Sequence, residues 1–262
     1  MSRDIPAENK KAWEHLVFDW RMRSQGTPEM LAEKIVASPN SYLRYHSALF
    51  NNIFQKRIAN ICGSDGQRAV ALSLLGAQVT VFDLSAPQRD YAIRLATAAK
   101  VKIDYVVGDF CELDSDVYAN FFDYTYCEGG ILHYFHNLND FFGTVQKILK
   151  PGGIMICSDY HPYQKTIIAN PPKRNVELTF GDYFDTAYHQ GHVPYAKYFP
   201  LEIQETFPSC TLRFYTLSEI FNSVVKAQMN IKQLIEHPRH DNPKIPGEFT
   251  LVAVKNSEND CR

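Results

Sequence analysis

The chain predicts an α/β fold: a doubly wound, mostly parallel sheet of seven strands. Three observations carry this expectation. Between residues 58 and 158 short apolar runs alternate with helical stretches at a regular spacing. The runs are apolar at successive positions, as strands buried on both faces require. The first run ends in a glycine-punctuated turn, "IANICGSDG" at 58–66, which feeds the helical stretch "QRAVALSLLGA". A strand, a tight turn and a helix in that order can hold a nucleotide.

Residues 8–57 read as helices. The segments "AWEHLVFDWRM" and "TPEMLAEKIVAS" both space apolar residues at three and four, and Thr27 before Pro28 has the form of an N-cap followed by proline at the first helical position. Lying just ahead of the nucleotide loop, residues 1–57 are expected to fold back as an N-terminal helical lid. Strands follow at 58–62, 79–83, 103–107, 122–127 and 154–158, with helices at about 66–76, 86–99 and 138–149 and a poorly marked one near 113–119. Gly76 suits a helix C-terminus and Ser85 ahead of Pro87 a helix N-terminus. "LKPGG" at 149–153 stops its helix before the fifth strand. Residues 159–210 then crowd prolines, glycines, tyrosines and histidines without a period, and are expected to form an inserted substrate cap. Regularity returns with a helix at 217–228 and strands at 230–236 and 248–255, so the core is assigned to 58–158 and 211–256.

Composition narrows the partners. The 262 residues suffice for one large domain with an insertion. A net charge of −2 with 21% charged residues argues against a broad phosphate-binding surface, so no nucleic-acid partner is expected. The first sixteen residues carry charges throughout, and no window offers about 18 uninterrupted apolar residues. A soluble, cytoplasmic protein with no membrane partner is the expectation. The six cysteines at 62, 111, 127, 157, 210 and 261 form no C-x-x-C pair, so reduced thiols are expected rather than disulfides or zinc. His189 and His192, near Asp182 and Asp185, lack a helical frame, and no metal is expected.

The chemistry concentrates at strand ends. A dinucleotide loop wants G-x-G-x-x-G, whereas this loop has only Gly63 and Gly66. Asp83, 17 residues after Gly66, ends the second strand, where a carboxylate can accept hydrogen bonds from both hydroxyls of a ribose. "VVGDF" places Asp109 at the end of the third strand, positioned to accept from an adenine amino group, and "FDYTYCEGGILHYF" follows the fourth strand with a flexible turn. This order, with "LKPGG" before the fifth strand and a helix–strand–strand ending, resembles the class I S-adenosylmethionine-dependent methyltransferase family over roughly residues 55–160 and 211–256. The loop is similar to that of a bacterial small-molecule subgroup with a modified glycine loop.

The resemblance implies a Rossmann-like sheet with an antiparallel last strand and S-adenosyl-L-methionine as cofactor. Its first motif, an acidic or amide residue followed by three alternating glycines, falls on Asn60, Cys62, Ser64 and Gly66, and only the last glycine matches. S-adenosylmethionine has no pyrophosphate to wrap, so a serine is tolerable there, with Gly63 expected to absorb an unusual backbone angle. The resemblance further assigns Asp83 and Leu84 to the ribose region, Asp109 to the adenine amino group, Phe110 to the adenine ring, and Cys127, Glu128 and Gly129 to the floor near the sulfonium. Taken singly, Asp109 is equally a helix cap and Phe110 more simply core.

Methyl transfer is an in-line displacement in which the enzyme chiefly holds the acceptor close and excludes water. Where a proton must leave, the candidate bases are His133, His161 and Glu128. Tyr183, Tyr188, Tyr195 and Tyr198 in the insertion, with Phe184 and Phe199, are expected to wall an apolar pocket for the acceptor, although a satellite core beneath a long loop is an equal reading. "NPPK" at 170–173 differs from the N-P-P-aromatic motif of adenine or amide methylation in place and in its lysine, and reads as a loop. The expected activity is methylation of a small-molecule acceptor at oxygen or nitrogen. The alternatives are a protein or tRNA methyltransferase, a non-catalytic nucleotide sensor of the same fold, and, least favoured, a nicotinamide-dependent oxidoreductase.

Overall fold

A computed structural model describes residues 4–166 and 181–257, apart from the side chain of residue 165. The "NPPK" segment at 170–173, expected as a loop, and Cys261 lie outside the described residues.

The chain opens with helices α1 (Ile5–Glu14), α2 (Val17–Gln25), α3 (Pro28–Ala37) and the single turn α4 (Pro39–Tyr42). Strand β1 (Arg57–Ile61), helix α5 (Gln67–Leu74), β2 (Gln78–Asp83), α6 (Ala86–Ala98), β3 (Ile103–Val107), β4 (Phe122–Cys127), α7 (Leu138–Ile148) and β5 (Leu149–Tyr160) build the core. The cap holds β6 (Tyr188–Gly191), the turn α8 (Leu201–Gln204) and β7 (Cys210–Arg213), and the chain closes with α9 (Leu217–Lys226), β8 (Met229–Pro238) and β9 (Pro246–Lys255). The main sheet runs β3-β2-β1-β4-β5-β9-β8. Its first five strands are parallel, and β9 inserts antiparallel between β5 and β8. This is the doubly wound sheet with an antiparallel last strand, and the strand order reverses at β1.

The local chemistry of the sequence explains the boundaries. Thr27 Oγ1 accepts from Met30 N, Ser85 Oγ from Gln88 N, and Thr216 and Glu219 form a reciprocal capping box at the start of α9. Gly76, at φ +96°, ends α5 in the left-handed conformation that glycine adopts freely. The expected helix near 113–119 is absent: Asp109 caps a single 3-10 turn at Phe110–Glu112, and Asp114 accepts from Asp116 N in a turn of its own. Short acidic side chains compete there for backbone donors that a helix would need. Strand β5 also begins earlier than expected, Leu149 pairing with Phe122 before a register shift.

Two apolar layers sandwich the sheet. One joins α3, α5 and α6 to the sheet through Leu31, Ile35, Leu72, Tyr91 and Leu95; the other joins α7 and α9 through Phe141, Phe142, Ile148 and Val224. A third core lies outside the sheet. There Ala12 and Val17 from the N-terminus pack with Val193, Tyr195, Phe199, Phe207 and Cys210 of the cap. The α1–α2 segment and the cap therefore share one apolar core, while α3 and α4 pack on the sheet domain.

Candidate active site

A cavity of about 260 Å³ opens at the carboxyl ends of β1 to β4, beside the strand-order reversal where open α/β sheets bind ligands. Of the residues singled out in the sequence, Cys62, Ser64, Asp83, Leu84, Asp109, Phe110 and Glu128 line it, together with Gly129 and Gly130.

The loop after β1 takes an unexpected form. Cys62 and Ser64, the two departures from glycine, both adopt left-handed backbone, at φ +51° and +52°. Gly63, expected to absorb the unusual angle, does not take a positive φ. It is required for a different reason: a Cβ there would stand 2.5 Å from Asn60 Oδ1 and 2.7 Å from Val81 Cγ1. Gly66 has φ +77° and faces Ala92 on α6. Asn60, Gly63 and Gly66 thus shape the loop from beneath without lining the cavity, Asn60 Nδ2 donating to the Tyr126 carbonyl.

Asp83 ends β2 and is fixed by backbone: its Oδ2 accepts from Ser64 N at 3.0 Å and its Oδ1 from Ser85 N at 3.0 Å. Burial pushes its carboxyl up to about 6, against the lowering influence of those two bonds and of Arg21. Asp109 does both things the sequence allowed, accepting from Cys111 N at 2.9 Å as a cap while lining the cavity. Phe110 is 4% exposed and packs against Phe82 and Phe141, so most of its ring is core. Cys127 is not on the wall; it is buried beside Cys157 on the neighbouring strand.

Glu128 reaches the cavity under tight restraint. Arg68 Nε donates to its Oε1, and His46 Nδ1 lies 3.3 Å from its Oε2. Burial alone would push this carboxyl up, but the His46 contact and the Arg68 cation outweigh burial and hold it at about 2. It is an anion at neutral pH and a poor proton acceptor. The turn after it is also fixed. Asp159 Oδ2 accepts from Ile131 N and Leu132 N at 2.8 Å each, and Gly129 and Gly130 take φ +91° and +79°.

The other candidate bases and the tyrosines stand elsewhere. His133 and His161 border two other clefts, with His161 Nε2 3.0 Å from Glu236 Oε1 and Nδ1 accepting from Tyr163 N. None of the four cap tyrosines lines the cavity. Tyr195 is buried in the third core with its hydroxyl 2.9 Å from the His15 carbonyl, and Tyr198 stacks on Trp20 at 4.7 Å. Tyr183 Oη accepts from Leu217 N, and Tyr188 sits half exposed on β6. Tyr195, Phe199 and Phe207 attach the cap through the third core, whereas Phe184 and Tyr188 are exposed. His189, similarly, lies 2.8 Å from Asp185.

The N-terminus supplies the wall that the tyrosines were expected to form. Pro6, Asn9 and Trp13 of α1 and Arg21 of α2 line the cavity, with Tyr134 edge-on to Trp13 at 5.6 Å. Asn9 is held by a two-way bond to Thr211 of β7, donating to its carbonyl and accepting from its N–H. No sequence signal separated these residues from an ordinary amphipathic helix. Gln88, in the first turn of α6, also lines the cavity and was not singled out.

The donor set fits an adenosine-bearing cation. Asp83 and Asp109 offer acceptors to hydroxyl and amino donors, and Glu128 adds a fixed negative charge. At Gly108 and Gly129 an added Cβ would meet nothing within 4 Å, so the backbone there borders open space. Comparison with known proteins agrees. A methyltransferase-domain family model matches residues 61–157. No curated protein matches the chain in sequence. A Listeria monocytogenes protein classed as an S-adenosylmethionine-dependent methyltransferase superposes with TM-score 0.67 at 16% identity, over 83% of this chain and 99% of its own. An S-adenosylmethionine-dependent methyltransferase from Mesorhizobium loti gives 0.61 at 20% identity, over 79% and 94%. Magnesium protoporphyrin IX methyltransferase from Synechocystis PCC 6803, solved with bound SAH, gives 0.60 at 12% identity, over 97% and 100%.

Residues 61–157 match a methyltransferase domain. The fold is that of the class I S-adenosylmethionine-dependent methyltransferases, whose cofactor is S-adenosyl-L-methionine.

Proposed function

We propose that this protein transfers a methyl group from S-adenosylmethionine to an oxygen or nitrogen of a small-molecule acceptor. One observation carries the cofactor part of this reading. Two carboxylates at adjacent strand tips, Asp83 and Asp109, share one cavity with the loop after β1 and with the Gly129–Gly130 turn. In this reading Asp83 accepts from the ribose hydroxyls, Asp109 from the adenine amino group, and Glu128 faces the cationic end of the cofactor. The cofactor supplies an electrophilic methyl on a sulfonium. The protein positions the acceptor, orders the 129–132 turn and excludes water. We assign no proton transfer to His133 or His161, which lie off the cavity, and treat Glu128 as a fixed charge rather than a base.

Two features support a small acceptor. The cavity is roofed by α1, and α1 is tied to the cap through Asn9 and the third core, which suits an enclosed ligand more than a polymer. The net charge of −2 suits neither tRNA nor DNA. We assign α1, α2 and residues 181–210 together to the covering unit of this site.

The test is product formation from methyl-labelled S-adenosylmethionine with a panel of phenols and amines, and in parallel with bulk tRNA and with protein. Turnover confined to small molecules is the expected result. Labelling only of tRNA or protein contradicts the acceptor class, and cofactor binding without any turnover identifies a sensor.

A further inference from the structure

One cavity residue outside the family pattern makes three polar contacts at once. Arg21 Nη2 donates to Ser64 Oγ at 2.7 Å, Nε donates to Gln88 Oε1 at 3.2 Å, and Nη1 lies 3.0 Å from Asp65 Oδ2. The contact is sheltered: the Arg21 side chain is 15% exposed and that of Asp65 7%. Ser64 is held from the other side as well, its N–H donating to Asp83 at 3.0 Å and its carbonyl accepting from Tyr105 Oη at 2.8 Å.

Ser64 and Cys62 sit in left-handed backbone, a conformation costly for any residue but glycine. Such strain persists only where the surroundings over-determine it. We propose that Arg21 is a positioning residue for the cofactor: it holds the glycine-poor loop in the shape that the family's glycines adopt unaided. The planar guanidinium suits this, since it spreads donors over three acceptors in a fixed fork, which a lysine ammonium does not reproduce. By taking Gln88 Oε1, Arg21 also fixes which way that buried amide points at the cavity wall. Through Arg21 the N-terminal segment sets the shape of the loop after β1.

This inference rests on the reading that the cavity takes S-adenosylmethionine. Calorimetric titration with S-adenosylhomocysteine tests it in four proteins: wild type, Arg21→Ala, Ser64→Gly and the double variant. The expected result is a loss of about tenfold or more in affinity on removing Arg21 when residue 64 is serine, and of less than about threefold when it is glycine. Equal losses in both backgrounds overturn the proposal, because they make Arg21 either a direct ligand contact or a general support. So does a fall in melting temperature with affinity unchanged. Should Arg21→Ala fail to fold, Arg21→Lys carries the same comparison. A wild-type protein that binds no S-adenosylhomocysteine contradicts the cofactor reading itself, and this inference with it.

Discussion

Asp83 shows how burial and backbone together set a residue's task. Two backbone N–H groups fix its orientation, yet burial raises its carboxyl to about 6, so it is ionised at neutral pH by a modest margin. Replacing it with alanine is expected to weaken S-adenosylhomocysteine binding by roughly 1–3 kcal/mol, as loss of hydrogen bonds to a charged acceptor does. Protonation removes the same acceptor, so affinity is expected to fall as pH drops through about 6, measured by titration at pH 5 to 8. The folding linkage has opposite signs at the two cavity carboxylates. Asp83, raised above its ordinary value of 3.8, contributes stability that is full below that value and lost as pH rises through about 6. Glu128, lowered from 4.5 to about 2, contributes stability present above 4.5 and lost as pH falls toward 2. The sequence exposed the strand-end carboxylates because a strand followed by a turn fixes where its last residue stands. It did not show that Glu128 is held by Arg68 and His46, 60 and 82 positions upstream, since pairing across the fold leaves no local pattern.

The turn after β4 is the element on which the cavity floor depends. Gly130 has φ +79°, and a Cβ there would stand 2.2 Å from the Tyr160 ring. Gly130→Ala is therefore expected to cost roughly 1–3 kcal/mol in denaturant unfolding, through both the angle and the clash. Adding Tyr160→Ala should recover only the steric part; full recovery would show that the backbone angle carries no strain. The core elements were legible in sequence because alternating apolar runs, caps at Thr27 and Ser85, and Gly76 each constrain the chain locally. The helix expected near 113–119 failed because acidic side chains there satisfy their own backbone in turns. The short strands β6 and β7 were not legible, being four residues each and paired across the cap.

The joining of the N-terminus to the cap governs the molecule as a whole. The partners Asn9 and Thr211 are 202 positions apart, and helical periodicity reveals that α1 has a buried face without naming what covers it. The tyrosines misled for the same reason: a cluster of aromatic residues signals burial, and here much of that burial attaches the cap rather than shaping a substrate pocket. The two tryptophans of the chain, Trp13 and Trp20, both lie in this segment, and of the two only Trp13 lines the cavity. Emission is accordingly expected to change on adding S-adenosylhomocysteine, to keep that change in Trp20→Phe, and to lose it in Trp13→Phe. Among the described residues no helix is long and apolar enough to cross a membrane.

The most direct test of the central claim is calorimetric titration of the intact protein with S-adenosylhomocysteine and with NAD, repeated on Asp83→Ala. Saturable binding of the first ligand, none of the second, and the expected loss in the folded variant are what the cavity predicts. Binding of NAD alone, or an Asp83→Ala protein that keeps full affinity for S-adenosylhomocysteine, would contradict it.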